Sequence, residues 1–168
     1  LLTYPGGSCQ RAVGVDKDNY AWVGEWNAGM LRKLHPQTGQ VVDQISIYPN
    51  RPYGMVIDKE GIIWVSARSP GNLVRVDPET KAVKSFPFSS GATYGIAVDL
   101  NGKLWIANSH QNNRVYRFDP DTETFSYDQV NSAYGYTRGL AASADGYLYV
   151  GHHKWTCQVG RHVTKIDI

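Results

Sequence analysis

The sequence predicts an all-β fold made of four repeats of one four-stranded antiparallel unit, and three observations predict it. One pattern is written four times: an entry ending in Gly or Ala, a short apolar run, an acidic turn, then an aromatic residue opening a second apolar run. The copies read RAVGVDKDNYAWVG from Arg11, PYGMVIDKEGIIWVS from Pro52, TYGIAVDLNGKLWIA from Thr93 and TRGLAASADGYLYVG from Thr137. The aromatic anchors Trp22, Trp64, Trp105 and Tyr149 are spaced 42, 41 and 44 residues apart. A period of about 40–45 residues built from short strands marks a β-propeller blade. Helical periodicity is missing, and the apolar runs are short, β-branched and aromatic, with turn signals between them.

Each unit resolves into strands A to D. In the second unit, strand A is predicted at Tyr53–Ile57, followed by the turn Asp58-Lys59-Glu60-Gly61. Strand B follows at Ile62–Ala67, strand C at Asn72–Val76 and strand D at Ala82–Phe88, with Asp77-Pro78-Glu79-Thr80 turning between C and D. That turn recurs as Asp119-Pro120-Asp121-Thr122 and, with His in first place, as His35-Pro36-Gln37-Thr38. Proline presets its backbone angle there, and the preceding Asp caps the turn through its side chain.

The ends of the chain carry part of a blade each. Leu1–Pro5 (LLTYP) matches the D strand at Ile45–Pro49 (ISIYP), and Arg161–Ile168 (RHVTKIDI) reads as a C strand. The order is therefore D, three full blades in residues 9–49, 50–90 and 91–131, then A-B-C in residues 134–168. Two arrangements satisfy it: a small closed four-bladed ring, or part of a larger propeller. Four blades is the low end of the propeller range, and the larger ring is the expectation.

The charge balance is +2, from 17 basic and 15 acidic residues, with the signs interspersed. No basic cluster marks a nucleic-acid face, and no apolar stretch is long enough for a membrane-spanning helix. The chain begins at Leu1, with no initiator Met and no signal peptide, so processing or a longer parent is expected. Cys9 and Cys157 both fall in predicted loops. They are a disulfide candidate as well as a pair of simple thiols, and the former fits an extracytoplasmic protein, secreted, periplasmic or on the cell surface.

In an up-and-down blade, the A–B and C–D turns share one end and the B–C and D–A connections the other. The first set is short and stereotyped here. The B–C loops vary: Glu25–Gly29, Arg68–Gly71, Asn108–Asn112 and the long His152–Gly160 segment. Variable loops on a constant scaffold mark the end where binding is built. Arg11, Tyr53, Tyr94 and Arg138 share one repeat position at the start of strand A, the strand that lines the channel. Arg and Tyr there suit anionic or aromatic ligands, through bidentate hydrogen bonds and stacking. Arg68 and His153, in the B–C loops, join them as candidate ligand-binding residues.

Other chemistries find less support. The acidic A–B turns supply one or two carboxylates and then reverse, whereas a calcium loop needs six to eight oxygens. His110, His152, His153 and His162 form the only imidazole concentration, but adjacent histidines on a strand point to opposite faces. A catalytic zinc needs three fixed protein ligands, so no metal site is assigned. The anchors Trp22, Trp64, Trp105 and Tyr149 are expected to pack between blades.

The combination Pro-Tyr-Gly, three apolar residues, Asp-x-x-Gly-x, apolar, Trp, apolar, as it stands from Pro52, resembles the streptogramin (virginiamycin B) lyase repeat group and the related NHL-type propellers. The third unit, Tyr94–Asp119, is the clearest copy, and the resemblance covers essentially the whole chain. It implies a β-propeller fold, and for the lyases a magnesium-assisted opening of a cyclic ester by a Glu and a His two residues apart after a B strand. Here Glu25 stands where that Glu is expected, with Asn27 in the place of the His; the third blade has Asn108 and His110. No blade holds both halves of the pair.

The function expected is therefore a non-catalytic binding propeller, needing no cofactor and presenting its B–C loops and channel mouth to a protein or small-molecule ligand. Further blades in a parent chain or an assembly are possible partners. The alternative is a lyase- or hydrolase-like enzyme using Glu25, His110 and His152, with Mg2+ or Ca2+ as the metal to consider.

Overall fold

A computed structural model describes residues 9–88, 93–109, 114–131, 134–153 and 162–168. The expectations placed on Leu1–Pro5, His110 and Cys157 lie outside those residues. The described residues form four antiparallel sheets, three of four strands and one of three. Blade 1 is β1 (Gln10–Val15), β2 (Ala21–Glu25), β3 (Met30–Leu34) and β4 (Val41–Ser46). Blade 2 is β5 (Arg51–Ile57), β6 (Ile63–Ser69), β7 (Asn72–Val76) and β8 (Val83–Pro87). Blade 3 is β9 (Thr93–Val98), β10 (Leu104–Asn108), β11 (Arg114–Asp119) and β12 (Thr124–Gln129). Blade 4 is β13 (Tyr136–Ala142), β14 (Tyr147–His153) and β15 (Val163–Asp167). Strands pair in sequence order within every sheet, the up-and-down meander that the sequence predicts.

Strand edges in blade 2 differ from expectation by a residue or two, for local reasons. The Ile62 N–H donates to Asp58 Oδ1 at 2.9 Å and its carbonyl accepts from Asp58 at 3.0 Å, so Ile62 belongs to the turn. Ala82 is likewise held back by the Asp77 N–H at 3.0 Å. Strand A starts early, at Arg51, because bulges on either side of Pro52 keep the chain paired with β6.

The acidic A–B turns are side-chain-capped hairpin turns. Oδ1 of Asp16, Asp58 and Asp99 each accepts two backbone N–H groups, from the residues two and four positions on, at 2.9–3.1 Å. Gly61, Gly102 and Gly146 close three of the four turns with positive φ of 85°, 73° and 85°. A side chain there would strain the backbone.

The chain divides into two compact units at Pro87/Phe88. In the first, β5 packs against β1, β2 and β3. Its core joins Ala12, Trp22, Leu31, Ile45 and Ile47 of blade 1 to Met55, Ile57, Ile63, Val65, Val74 and Val76 of blade 2. In the second, β13 packs against β9 and β10. Ala97, Trp105, Val115 and Val130 of blade 3 there meet Leu140, Ala142, Leu148, Val150, Ile166 and Ile168 of blade 4. Within each unit, the face of the first blade that carries the Trp anchor thus meets the facing side of the second blade. Buried Thr137 ties the second pair further: its hydroxyl accepts the Asn108 N–H at 2.8 Å and lies 3.2 Å and 3.1 Å from the carbonyls of Asn108 and Arg114. At Gly95 the strands come so close that a Cβ would run into the backbone carbonyl of Arg138.

Candidate functional site

In the first unit, a layered cluster forms where β1 and β5 begin and β2 and β6 end. Arg11 and Tyr53 open the two A strands, while Trp26 and Arg68 stand four residues after the Trp anchors of blades 1 and 2. The Arg11 guanidinium lies over two rings, with Cζ 5.0 Å from the Trp26 centroid and 5.2 Å from that of Tyr53. Arg51 sits over Trp26 at 5.9 Å and Arg68 over Tyr53 at 5.6 Å. The two rings meet edge to face, at 5.8 Å and 81°. Three guanidinium groups therefore interleave with two aromatic rings.

The supports of this cluster are backbone and amide contacts. The Trp26 N–H donates to the Cys9 carbonyl at 2.9 Å, and Gly29, at φ 59°, donates to the Glu25 carbonyl at 3.0 Å. Buried Asn50, next to Arg51, donates to Ser85 Oγ at 3.1 Å and accepts from Asn72 Nδ2 at 2.7 Å. Cys9 is an exposed free thiol, and Arg11 Nε donates to its sulfur at 3.4 Å. That contact raises the pKa of Arg11, with desolvation acting in the opposite direction. Among the described residues neither Arg11 nor Arg51 makes an ion pair. Guanidinium faces that rest on rings leave their N–H edges for a bidentate oxyanion.

Glu25 lies at the end of β2, fully buried, with Arg32 Nε 2.9 Å from Oε1. It occupies the repeat position held by Ala67, Asn108 and His152 in the other blades. A carboxylate that faces a guanidinium in this way is a poor ligand for a divalent cation, because the cation would meet a positive charge already in place. Among the described residues no group of three or more His, Cys, Asp and Glu side chains is gathered. Neither Mg2+ nor Ca2+ is therefore fitted by the residues around Glu25.

In the second unit, Arg138 lies over Tyr94, with Cζ 4.2 Å from the ring centroid, a smaller version of the same contact. His152 is buried at the end of β14, its Nε2 2.8 Å from Thr164 Oγ1. The Tyr134 ring meets His152 edge-on at 5.6 Å and stacks on His162 at 4.0 Å and 24°. Burial pushes the pKa of His152 down, the His162 charge adds to that, and the backbone at Gly135 opposes it. His153, its neighbour on β14, is half-buried.

The geometry thus brings together Arg11, Tyr53 and Arg68 in one unit, and Tyr94 and Arg138 in the other. Trp26, Arg51 and Tyr134 belong to these clusters and were not singled out by sequence reasoning. Trp26 carries a signal in the alignment: it shares its repeat position with Arg68, Ser109 and His153, so that column mixes charged, polar and aromatic residues.

No family model matches the chain. Rabbit (Oryctolagus cuniculus) regucalcin is 45% identical over 49 residues, which is 26% of this chain and 16% of regucalcin. A catalytically inactive virginiamycin B lyase from Staphylococcus aureus, solved with quinupristin, superposes with a TM-score of 0.77 at 14% identity, covering 99% of this chain and 58% of the lyase. The computationally designed Ika4 protein superposes with a TM-score of 0.74 at 15% identity, covering 99% of this chain and 96% of the design. The chain spans under a fifth of regucalcin's length and 58% of the lyase's. It has a β-propeller fold similar to that of the virginiamycin B lyases, and identities this low speak for the fold.

Proposed function

We propose that the chain is a non-catalytic binding propeller whose ligand is an aromatic or otherwise planar anion, held at the Arg11–Trp26–Tyr53 cluster with Arg51 and Arg68 at its flanks. The observation that carries this reading is the interleaving of three guanidinium groups with two rings, where among the described residues neither Arg11 nor Arg51 has a carboxylate partner. Such a cluster gathers guanidinium charge beside aromatic faces. An oxyanion engages that charge through charge-assisted hydrogen bonds, each worth about 1.5–3 kcal/mol, while the ring edges accept the ligand's apolar body. A carboxylate, phosphate or sulfate on a small molecule or on a protein side chain meets this description.

The enzymatic alternative draws on the similarity to virginiamycin B lyases. It needs Glu25 as an acid–base or metal-binding group, and Glu25 is engaged by Arg32 at 2.9 Å in the interior of blade 1. His152 serves its own unit, against Thr164 and Tyr134.

Quenching of tryptophan fluorescence by benzoate, phenyl phosphate and inorganic phosphate tests the proposal. Saturable binding of an aryl anion, weakened at least tenfold by Arg11→Ala and by Tyr53→Ala, is the expected result. Absence of binding to all three probes, or binding that both variants leave unchanged, would overturn it. Magnesium-dependent opening of a cyclic depsipeptide would establish the enzyme instead.

A further inference from the structure

The first unit sorts its charges to opposite ends. In an antiparallel meander the A–B and C–D turns lie at one end of a blade, and the B–C and D–A connections at the other. Asp16, Asp18, Asp58, Glu60, Asp77 and Glu79 all stand in A–B or C–D turns. The two remaining carboxylates among its described residues are engaged, Asp43 by Lys81 and buried Glu25 by Arg32. Lys33 and Lys59 pair with the turn carboxylates Asp16 and Glu60. The other end carries Arg11, Arg51 and Arg68, and no exposed acidic side chain among the described residues.

Beside these arginines an aromatic side chain is held out into solvent. Tyr48, in the connection between β4 and β5, is 73% exposed. Its turn is braced from both blades. The Asn50 N–H donates to the Ile47 carbonyl at 2.8 Å, and the Ile47 N–H donates to the Gly29 carbonyl at 2.8 Å. The buried Asn50 amide fastens the turn to β7 and β8 through Asn72 and Ser85. Gly29 closes the loop that carries Trp26, and a Cβ there would stand 2.8 Å from the Asn50 carbonyl oxygen and 3.1 Å from Tyr48 Cα. The two connections that present Trp26 and Tyr48 are therefore locked together. A side chain on a fixed turn has less freedom to lose on contact than one on a loose loop. Tyr, Trp and Arg are also the residues that carry most of the binding energy at protein interfaces.

We propose that the anion of the Arg11 cluster is presented by a protein. An acidic segment of a partner lies across the B–C and D–A end of the first unit, with one carboxylate on Arg11, a second on Arg51 and the intervening backbone against the Tyr48 ring. This inference rests on the anion-binding reading of the Arg11–Trp26–Tyr53 cluster and adds the source of the anion. A small monoanion engages one guanidinium group and leaves Tyr48 untouched. An extended acidic segment places alternate side chains about 6–7 Å apart, so it meets more than one guanidinium group and covers the turn between. With the unit's own exposed carboxylates at the far end, an acidic partner meets complementary charge at the arginine end.

Fluorescence anisotropy of a fluorescein-labelled peptide of alternating glutamate and alanine residues reads the docking. A glutamine-for-glutamate peptide is the control, and phenyl phosphate is titrated separately by tryptophan quenching. The acidic peptide is expected to bind at least tenfold more tightly than benzoate, and the control peptide not at all. Arg51→Ala and Tyr48→Ala are each expected to weaken the acidic peptide at least fivefold. Tyr48→Ala is expected to leave phenyl phosphate binding and the urea unfolding midpoint unchanged, because its side chain stands in solvent outside the cluster. An acidic peptide that binds no more tightly than benzoate, or equally well to Tyr48→Ala, overturns the protein partner while phenyl phosphate binding still stands. A chain that binds neither peptide nor phenyl phosphate overturns the anion site itself. An oligonucleotide that displaces the peptide at lower concentration than unlabelled peptide does would assign the surface to nucleic acid instead.

Discussion

The indole N–H of Trp64 donates to Oδ2 of Asp58 at 2.7 Å, while Oδ1 of the same carboxylate holds the two N–H groups of its own turn. The pair recurs, always six residues apart, as Asp99 with Trp105 at 2.8 Å and Asp16 with Trp22 at 3.3 Å. One side chain therefore caps the hairpin and satisfies an indole that is almost fully buried between strands. In blade 4 both members change together. Ser143 replaces the Asp and accepts the Tyr147 N–H at 3.2 Å, and Tyr149, which has no indole N–H, replaces the Trp.

Asp58→Ala removes the acceptor of a buried donor along with a turn cap. An unsatisfied buried donor costs about 1–3 kcal/mol and a lost cap about 1 kcal/mol, so a loss of about 2–3 kcal/mol is expected in urea unfolding. Ser143→Ala, with no indole to strand, is expected to cost less. Equal losses at the two sites would contradict the shared-carboxylate account.

Gly95→Ala places a methyl group against the Arg138 carbonyl, a backbone atom that cannot turn aside. Overpacking of this kind costs about 1–3 kcal/mol. The same substitution at Gly102, whose Cβ would meet open space, tests backbone strain at φ 73° without a clash. Hydrogen exchange in β9 and β13 is expected to rise for Gly95→Ala and to stay unchanged there for Gly102→Ala.

The Asp16 carboxyl titrates below its ordinary value. Burial is the largest single influence and pushes it up, but the Lys33 ammonium, the Tyr20 N–H and the Trp22 indole together pull it down. A depressed folded pKa contributes stability that is present above the unfolded value of about 3.9 and is lost as pH falls through the folded value. Acid unfolding below about pH 4 is therefore expected to shallow in Asp16→Asn. An unchanged acid limb would remove Asp16 from the account.

His152 has the same sign for a different reason. Burial holds its imidazole below the ordinary value of about 6.5, so the unfolded chain takes up a proton that the folded one refuses. The stability of the second unit is therefore expected to fall as pH drops below about 6.5, and to do so less in His152→Gln. NMR titration of the imidazole with a midpoint at or above that of a histidine peptide would contradict this.

Arg11→Lys keeps the charge and loses the plane. A guanidinium that lies over both Trp26 and Tyr53 uses its flat face on the rings and its edge on the ligand, which an ammonium cannot do. Affinity for phenyl phosphate is expected to fall about as far as in Arg11→Ala; full retention in the lysine variant would mean that charge alone matters.

Much of the fold is legible in the sequence because its signals are local. The Asp-to-aromatic spacing of six, the Asp-Pro-x-Thr turn and the short β-branched runs each act within one hairpin, and they recur often enough to set the period of the blades. Arg11, Tyr53 and Arg68 are legible as candidates from their places in the repeat. Trp26 and Arg51 are not, because their roles depend on two blades packing so that side chains 25 residues apart meet around Arg11.

By itself the sequence determined four blades, their strand order and the three buried Trp anchors, since hydrogen-bonding pattern and apolar alternation are properties of neighbouring residues; the fourth anchor, Tyr149, is 38% exposed. Only the tertiary structure decided that Glu25 is spent on Arg32, that guanidinium groups and rings interleave in the first unit, and that Tyr48 stands exposed on a braced turn. Burial depends on what stands across from a face. A repeat writes the same face in every blade whether or not a neighbour covers it.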